Sequence, residues 1–392
     1  MKDWNKILSP TVQNVAPSGI RKFFDIAAEM DDVISLGVGE PDFVTPWTIR
    51  ESCVYGLEQG YTAYTANRGM PELREEIAKL KKTQAGIDYD PKTDILVTVG
   101  VSEALDLAMR ALLAPGDEVL IPEPCYVSYK ACTALAGGVP VPVPTRIENE
   151  FRITPDDLEA HLSQKTKVLL IGYPNNPTGA VMSRKELLAI AQFAEAHDLI
   201  VISDEIYGDL TYGAEPHVVF SSLPGMKDRT ILLDGFSKSY AMTGWRIGYA
   251  LGAPEIIAAM TKIHQYTMLC APVTAQIAAI EALRRGEKYM KKMAAEYDRR
   301  RGFIYRGLTE IGLQCFEPKG AFYIFPDIRV TGLSSEQFAE DLLRTEHVAL
   351  VPGSAFGECG EGYVRCSYAT ALDKIDEALA RIGRFVKKYS KS

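Results

Sequence analysis

The stretch GFSKSYAMTGWRIGY, Gly235 to Tyr249, sets Lys238 in a run of small, aromatic and apolar residues, with Arg246 as the only other cation, eight positions on. Desolvation disfavours the ammonium form, so a lysine held there has a depressed pKa. Its neutral amine can attack an aldehyde and form a Schiff base. A surface lysine in an unusually apolar loop is the alternative. Three more segments bring polar residues to the ends of apparent strands. VGVSEA, Val99 to Ala104, reads as a strand that ends in Gly100 and runs into a helix starting near Ser102. Such a helix start, with the Ser102 hydroxyl, can seat a phosphate, or Ser102 can simply cap the helix. YPNNPTG, Tyr173 to Gly179, gives a stiff loop with amide donors beyond the sheet edge, although turn chemistry alone also explains it. In ISDEIY, Asp204 falls directly after the strand LIVIS. A carboxylate there is costly unless it meets a cation or donor, or caps the next turn. Tyr207 follows three residues later, close enough to serve the same ligand, or else to fill the core. An amine, a phosphate seat, an arginine and an acid for a ring nitrogen together match pyridoxal 5′-phosphate, with Lys238 as anchor and Arg246 on the phosphate.

These residues need a scaffold that gathers strand ends. DILVTVG (Asp94 to Gly100), EVLIP, KVLLI, LIVIS and RTILLD read as buried strands, and SEALDLAMRALL and RKELLAIAQFAEAHD as helices between them. Such alternation predicts an α/β fold with a mostly parallel sheet flanked by helices, whose ligands collect at the carboxyl ends of the strands. After about Pro272 the chain turns strongly helical, then gives shorter strands (AFYIFP, YVRCSYA) and a last helix, LDKIDEALARIGRFVKKY. The division expected is a large cofactor-binding domain over 45–280 and a smaller α+β domain built from 281–392, with 1–44 packed against it.

Composition narrows the partners. The 392 residues have 47% hydrophobic and 24% charged content, as a globular chain does. A net charge of −8 and a pI near 5.4 argue against general binding to nucleic acid or anionic membranes. The longest apolar runs, such as VLLIGY, are strand-sized and too short to span a bilayer. MKDWNKILSP has no apolar signal core. Seven cysteines with no C-x-x-C suggest no disulfide framework, and five scattered histidines suggest no metal site. A reduced, cytoplasmic setting is expected.

With these residues in view, the chain resembles the class I/II aminotransferases, fold type I pyridoxal-phosphate enzymes. The likeness runs from IRKFFDIAAEMDDVISLGVGEPDF through AYTANRGMPELR, NNPTGA, SDEIY and FSKSYAMTGWRIG to PKGAFYIFP and VPGSAFG..GYVRCSYA. Within the family it is most similar to the branch with archaeal aromatic aminotransferases. The resemblance implies that Lys238 is the Schiff-base lysine and proton shuttle, and that Asp204 pairs with the pyridine nitrogen. Tyr207 and Asn176 would bond the ring oxygen, and Tyr126 would stack on the ring. Val101 and Ser102 would cradle the phosphate with Arg246. Tyr64 matches a tyrosine that reaches the neighbouring subunit's phosphate, which implies a homodimer with shared active sites. Arg365 would grip the substrate α-carboxylate as a bidentate pair, assisted by the N–H of Gly39, with Asn176 beside it. Some relatives have a serine three residues before the lysine. Here that position is Gly235, and Ser237 is the nearest replacement donor.

The implied reaction moves an amino group from an L-amino acid to a 2-oxo acid such as 2-oxoglutarate. Aspartate-specific relatives place a lysine in the phosphate loop where Ser102 stands, which weakens an aspartate reading; the similarity to aromatic aminotransferases, with Tyr64 and Tyr126 near the site, implies aromatic or bulky donors. Aspartate, alanine, methionine and N-acetyl-diaminopimelate remain the alternatives. So does a carbon–sulfur β-lyase on the same scaffold, because fold does not fix the reaction. A transcription regulator's sensor domain would bring a DNA-binding segment, and no helix-turn-helix pattern or basic run precedes residue 45.

Overall fold

The computed structural model describes residues 2, 4–17, 19 and 30–389; most of the run IRKFFDIAAEM, residues 20–29, lies outside them. The elements in chain order are α1 (Pro10–Asn14), β1 (Ile34–Ser35), α2 (Trp47–Glu58), α3 (Pro71–Ala85), β2 (Ile95–Thr98), α4 (Gly100–Leu112), β3 (Glu118–Glu123), α5 (Ser128–Leu135) and β4 (Val139–Pro144). Then come α6 (Pro155–Glu159), β5 (Thr166–Gly172), α7 (Arg184–Ala196), β6 (Ile200–Asp204), β7 (Thr230–Gly235), β8 (Gly248–Leu251), α8 (Pro254–Thr267), α9 (Val273–Arg285) and α10 (Glu287–Ile311). The C-terminal part adds β9 (Tyr323–Ile324), α11 (Ser335–Glu346), β10 (Val348–Ala349), β11 (Val351–Pro352), β12 (Val364–Ser367) and α12 (Leu372–Tyr389).

Seven strands form one sheet in the order β2-β8-β7-β6-β5-β3-β4. All neighbours are parallel except β8, which runs antiparallel to both β2 and β7. The inner strands read as unbroken apolar runs because both faces are covered. Val168 and Leu170 of β5 pack with Ile231 and Leu233 of β7 against α4 and α8. Leu169 and Ile171 point the other way, into a core shared with α7. Leu232 and Tyr249 face α3 and α9. The fold is thus α/β, as expected, with a second assembly toward the C-terminus. There β11-β12-β9 form an antiparallel sheet, while α10, α11 and α12 pack around Phe322, Ile324 and Tyr368. β1 pairs in parallel with β10, tying residues 34–35 to 348–349.

The structure corrects the sequence reading in several places. β4, VPVPVP, was not expected as a strand. It lies at the sheet edge, where prolines that cannot donate are tolerated. β8 was also not expected, because its four residues follow the polar turn that carries Arg246. The run AFYIFP yields only Tyr323–Ile324 as strand. β2 stops at Thr98 and the helix begins at Gly100, not near Ser102. Gly100 has φ +76°, a left-handed value that a side chain disfavours, and this turns the chain directly from strand to helix. Asp204 is the last residue of β6 and does not follow it. No helix among the described residues is long and apolar enough to cross a membrane.

Candidate active site

The carboxyl ends of β5, β6 and β7 fall side by side with the start of β8, since Gly172 pairs with Asp204 and Gly235 with Gly248. Above that edge lies a cavity of about 610 Å³. Of the residues expected to form the site, Gly39, Val101, Ser102, Tyr126, Asn176, Asp204, Tyr207, Lys238, Arg246 and Arg365 all line it. Tyr64 does not. It stands 84% exposed in the segment between α2 and α3.

Lys238 sits three residues beyond β7, and its ammonium donates to the Gly39 carbonyl at 2.7 Å. Burial lowers its pKa to about 8; the Glu40 carboxylate opposes that fall, and Arg365 and Arg246 add to it. Its amine lies 5.9 Å from the ring centres of Tyr207 and Phe322. Glu40 is held in turn by the Thr243 hydroxyl at 2.9 Å.

Asp204 is 7% exposed. One carboxylate oxygen accepts from the Tyr129 hydroxyl at 2.8 Å and the other from the Ile206 N–H at 3.2 Å. The turn-capping role open from the sequence is therefore real, and it coexists with exposure to the cavity. Burial raises the Asp204 pKa to about 6 against the pull of those two donors. Tyr207 is also buried, and its hydroxyl shares a 2.8 Å hydrogen bond with that of Tyr323. Burial, and then Tyr323, hold the Tyr207 phenol well above its ordinary pKa.

Arg365, on β12, is 2% exposed and lies between the faces of Tyr323 and Phe356, with its guanidinium carbon 4.4 and 4.9 Å from their ring centres. It donates to the Asn176 side-chain oxygen at 2.9 Å and the Gly37 carbonyl at 2.6 Å, and its Nε is buried without an acceptor. Asn176 is therefore a partner of Arg365 here. A Cβ added to Gly39 would stand 3.8 Å from both Arg365 terminal nitrogens, so the Gly39 backbone lies beside the guanidinium.

At the other end of the cavity, Val101 and Ser102 are the second and third residues of α4, whose first-turn N–H groups have no acceptor within the helix. Ser102 is not the cap, because the cap position is Val99 and no side chain bonds it in that way. Instead, Glu103 reaches back to the Val99 N–H at 2.6 Å and is itself held by His264 at 2.7 Å. The Arg246 guanidinium crosses so close to Gly100 that a Cβ there would meet its Nη2 at 2.6 Å. The glycine at 235 has a similar cause. A Cβ would press on Gly248 Cα at 3.0 Å and Val101 Cγ2 at 3.1 Å, so a serine fits there only if the backbone moves. Ser237 lines the cavity two residues later.

Sequence reasoning missed Tyr129 and Tyr323. Tyr129 gains its role from a partner 75 residues away and Tyr323 from one 116 residues away. The spacing of Tyr126 and Tyr129 was the available signal: three apart, they pack edge to face, with ring centres 5.8 Å apart.

An acid, an amine, a phosphate-sized helix start and a buried arginine thus share one cavity. Residues 31–382 match the family described as aminotransferase class I and II. The chain is 50% identical to the aspartate aminotransferase of Pyrococcus abyssi, covering 97% of this chain and 98% of that one. It is 48% identical to aromatic-amino-acid aminotransferase 2 of Thermococcus litoralis, with the same coverages. Its fold superposes on the aspartate aminotransferase of Thermus thermophilus with maleate at a TM-score of 0.92, with 38% identity over 96% of this chain and 99% of that one. The chain belongs to the class I and II aminotransferases, which are pyridoxal-phosphate-dependent enzymes.

Proposed function

We propose that this aminotransferase takes the amino group of an aromatic or otherwise bulky L-amino acid and passes it to a 2-oxo acid, with 2-oxoglutarate as the first acceptor to test. Relatives of nearly equal identity are named for aspartate and for aromatic amino acids, so the donor class rests on the cavity. The observation that carries it is the count of cations. Among the described residues lining it, Lys238, Arg246 and Arg365 are the cations, and each has a use common to all donors. The rest of the wall includes Val38, Leu105, Tyr126, Ile206 and Tyr323, which favour an apolar side chain. Among the described residues, the distal carboxylate of 2-oxoglutarate finds no further cation on this wall.

The residues present fit pyridoxal phosphate: a buried carboxylate with no cation bonded to it, an amine of lowered pKa, and a helix start crossed by an arginine. When bound, the cofactor supplies an aldehyde and an electron-accepting ring. The N–H groups of Val101 and Ser102, with Arg246, would hold its phosphate. Asp204 would hold the proton of the ring nitrogen, Tyr207 and Asn176 the ring oxygen, and Tyr126 the ring face. Arg365, with the Gly39 N–H, binds the α-carboxylate and so orients Cα. Lys238 takes the Cα proton as base and later returns it as acid, a role served by a pKa near working pH.

Tyr64 would complete the site of a second subunit. The exposure of the large side chains Trp47, Tyr55, Tyr61 and Tyr266 supports a homodimer. The pairing of β1 with β10 supports the division into 45–280 and a second domain of 281–392 with the N-terminal segment.

Rapid-mixing absorbance of the loaded protein with single amino acids tests the donor class. Phenylalanine, tyrosine or leucine should convert the cofactor band at least about tenfold faster than aspartate, the discrimination expected of an apolar pocket. Aspartate as the fastest donor would overturn the aromatic reading. Pyruvate, ammonia and homocysteine released from cystathionine, with no conversion by any donor, would point to the β-lyase.

A further inference from the structure

We propose that Tyr129 is a positioning residue for Asp204: its hydroxyl, lodged in a notch left by Gly172, holds one carboxylate oxygen and thereby sets the aim of the other lone pairs into the cavity. The inference rests on Asp204 as the partner of the cofactor ring.

Tyr129 is 5% exposed on the first turn of α5, and its hydroxyl donates to Asp204 Oδ2 at 2.8 Å. Gly172 is the register partner of Asp204 on the adjacent strand. A Cβ on Gly172 would collide with the Tyr129 hydroxyl, so the glycine is what lets that oxygen reach the carboxylate. The same ring packs edge to face on Tyr126, with ring planes at 84°. One side chain therefore aligns both the acid expected at the ring nitrogen and the aromatic expected on the ring face. A carboxylate has about four acceptor directions. Tyr129 and the Ile206 N–H take one on each oxygen, which fixes where the remaining ones point.

The charged groups around Asp204 are Asp234 on β7, Glu205 next in the chain and the Lys238 amine. Asp234 is paired with Lys81 at 2.7 Å and Glu205 with His217 at 2.8 Å. Among the described residues, the Tyr129 hydroxyl is the side-chain donor bonded to Asp204. A donor to the carboxylate favours its charged form, so deleting it raises the pKa.

The test is the affinity of the full chain for pyridoxamine 5′-phosphate, whose amine Lys238 cannot capture, measured by calorimetry between pH 5 and 8.5. Wild-type affinity should fall as pH drops through about 6, where Asp204 takes up a proton. In Tyr129→Phe that limb should move up by about one pH unit, so that affinity at pH 5.5 falls a further tenfold or so while the loss near pH 7 stays about twofold. The ligand's own titration is common to all variants and drops out of the difference. Gly172→Ala keeps the tyrosine but displaces its hydroxyl, and should move the limb the same way; it also serves if Tyr129→Phe does not fold. A limb unmoved in the folded variants, with wild-type binding intact, overturns the positioning role alone. A wild-type chain that binds without any acid limb, or does not bind, overturns the reading of Asp204 on which the role depends.

Discussion

The two ends of the cavity are made of different things. At the end proposed for the phosphate, Gly100, Gly235 and Gly248 let three backbone segments close on one another, and the side chains there, Ser102 and Arg246, are exposed. At the other end, Asp204, Tyr207, Tyr323 and Arg365 are buried side chains held by hydrogen bonds to neighbouring side chains or to backbone. The first end owes its affinity to the path of the chain, the second to the chemistry of particular groups. Substitutions should therefore fail in different ways. At the first they fail by steric displacement, with loss of cofactor. At the second they fail by lost charge or donors, with loss of substrate binding or of turnover.

The largest effect is expected at Lys238, which lies between the two. Lys238→Ala should lower turnover by at least about 10³-fold while the protein still retains cofactor non-covalently; appreciable turnover in single-turnover absorbance would remove Lys238 from the centre of the reaction. The contrast itself is tested by a pair. Arg365→Ala should raise KM about 100-fold for every amino acid alike, with cofactor affinity unchanged. Gly100→Ala, which forces a side chain onto φ +76° and against Arg246, should instead weaken cofactor binding about tenfold and leave the KM of the loaded protein in place. Steady-state kinetics and cofactor titration of both variants would show whether the ends are separable, and a common effect would mean that they are not.

The smallest effect concerns Glu40. Covalent capture of pyridoxal phosphate by the cofactor-free chain needs the neutral Lys238 amine, so its rate should rise with pH and level off above about 8. The Glu40 carboxylate stabilises the ammonium, so Glu40→Gln lowers the Lys238 pKa and moves that midpoint to lower pH. Because Glu40 is exposed and screened, the move should be less than about one unit. A midpoint that stays put would mean that Glu40 only anchors Thr243.

Much of this was legible in the sequence because the chemistry follows strands in short order. Asp204 ends β6 and Lys238 stands three residues past β7, so the apolar runs alone pointed to where the ligand would be. What was not legible depends on partners far along the chain. Tyr129 finds Asp204 across 75 residues, and the Gly37 and Gly39 carbonyls meet cations 328 and 199 residues away. Backbone acceptors carry no signature in residue type, so sequence could not mark either carbonyl. The helix start was misplaced for a local reason. Ser102 has the type of a cap, but the left-handed Gly100 begins the helix before it.

Gly37, Gly39, Glu40 and Asp42 form one short strap, bonded in turn by Arg365, Lys238, Thr243 and Arg300. Its two carbonyls already occupy donors on the groups proposed to meet the ligands. Arg365 Nε has no acceptor and its other nitrogens each give one bond, so an incoming carboxylate adds to a guanidinium already aimed by the strap. Changes in the strap's path can therefore retune affinity by re-aiming Arg365 and Lys238 without altering a residue that touches the substrate. The strap is also held at both ends of the cavity, by Thr243, whose carbonyl accepts from Arg246, and by Arg365, so one short run of backbone borders both the cofactor and the substrate positions proposed here.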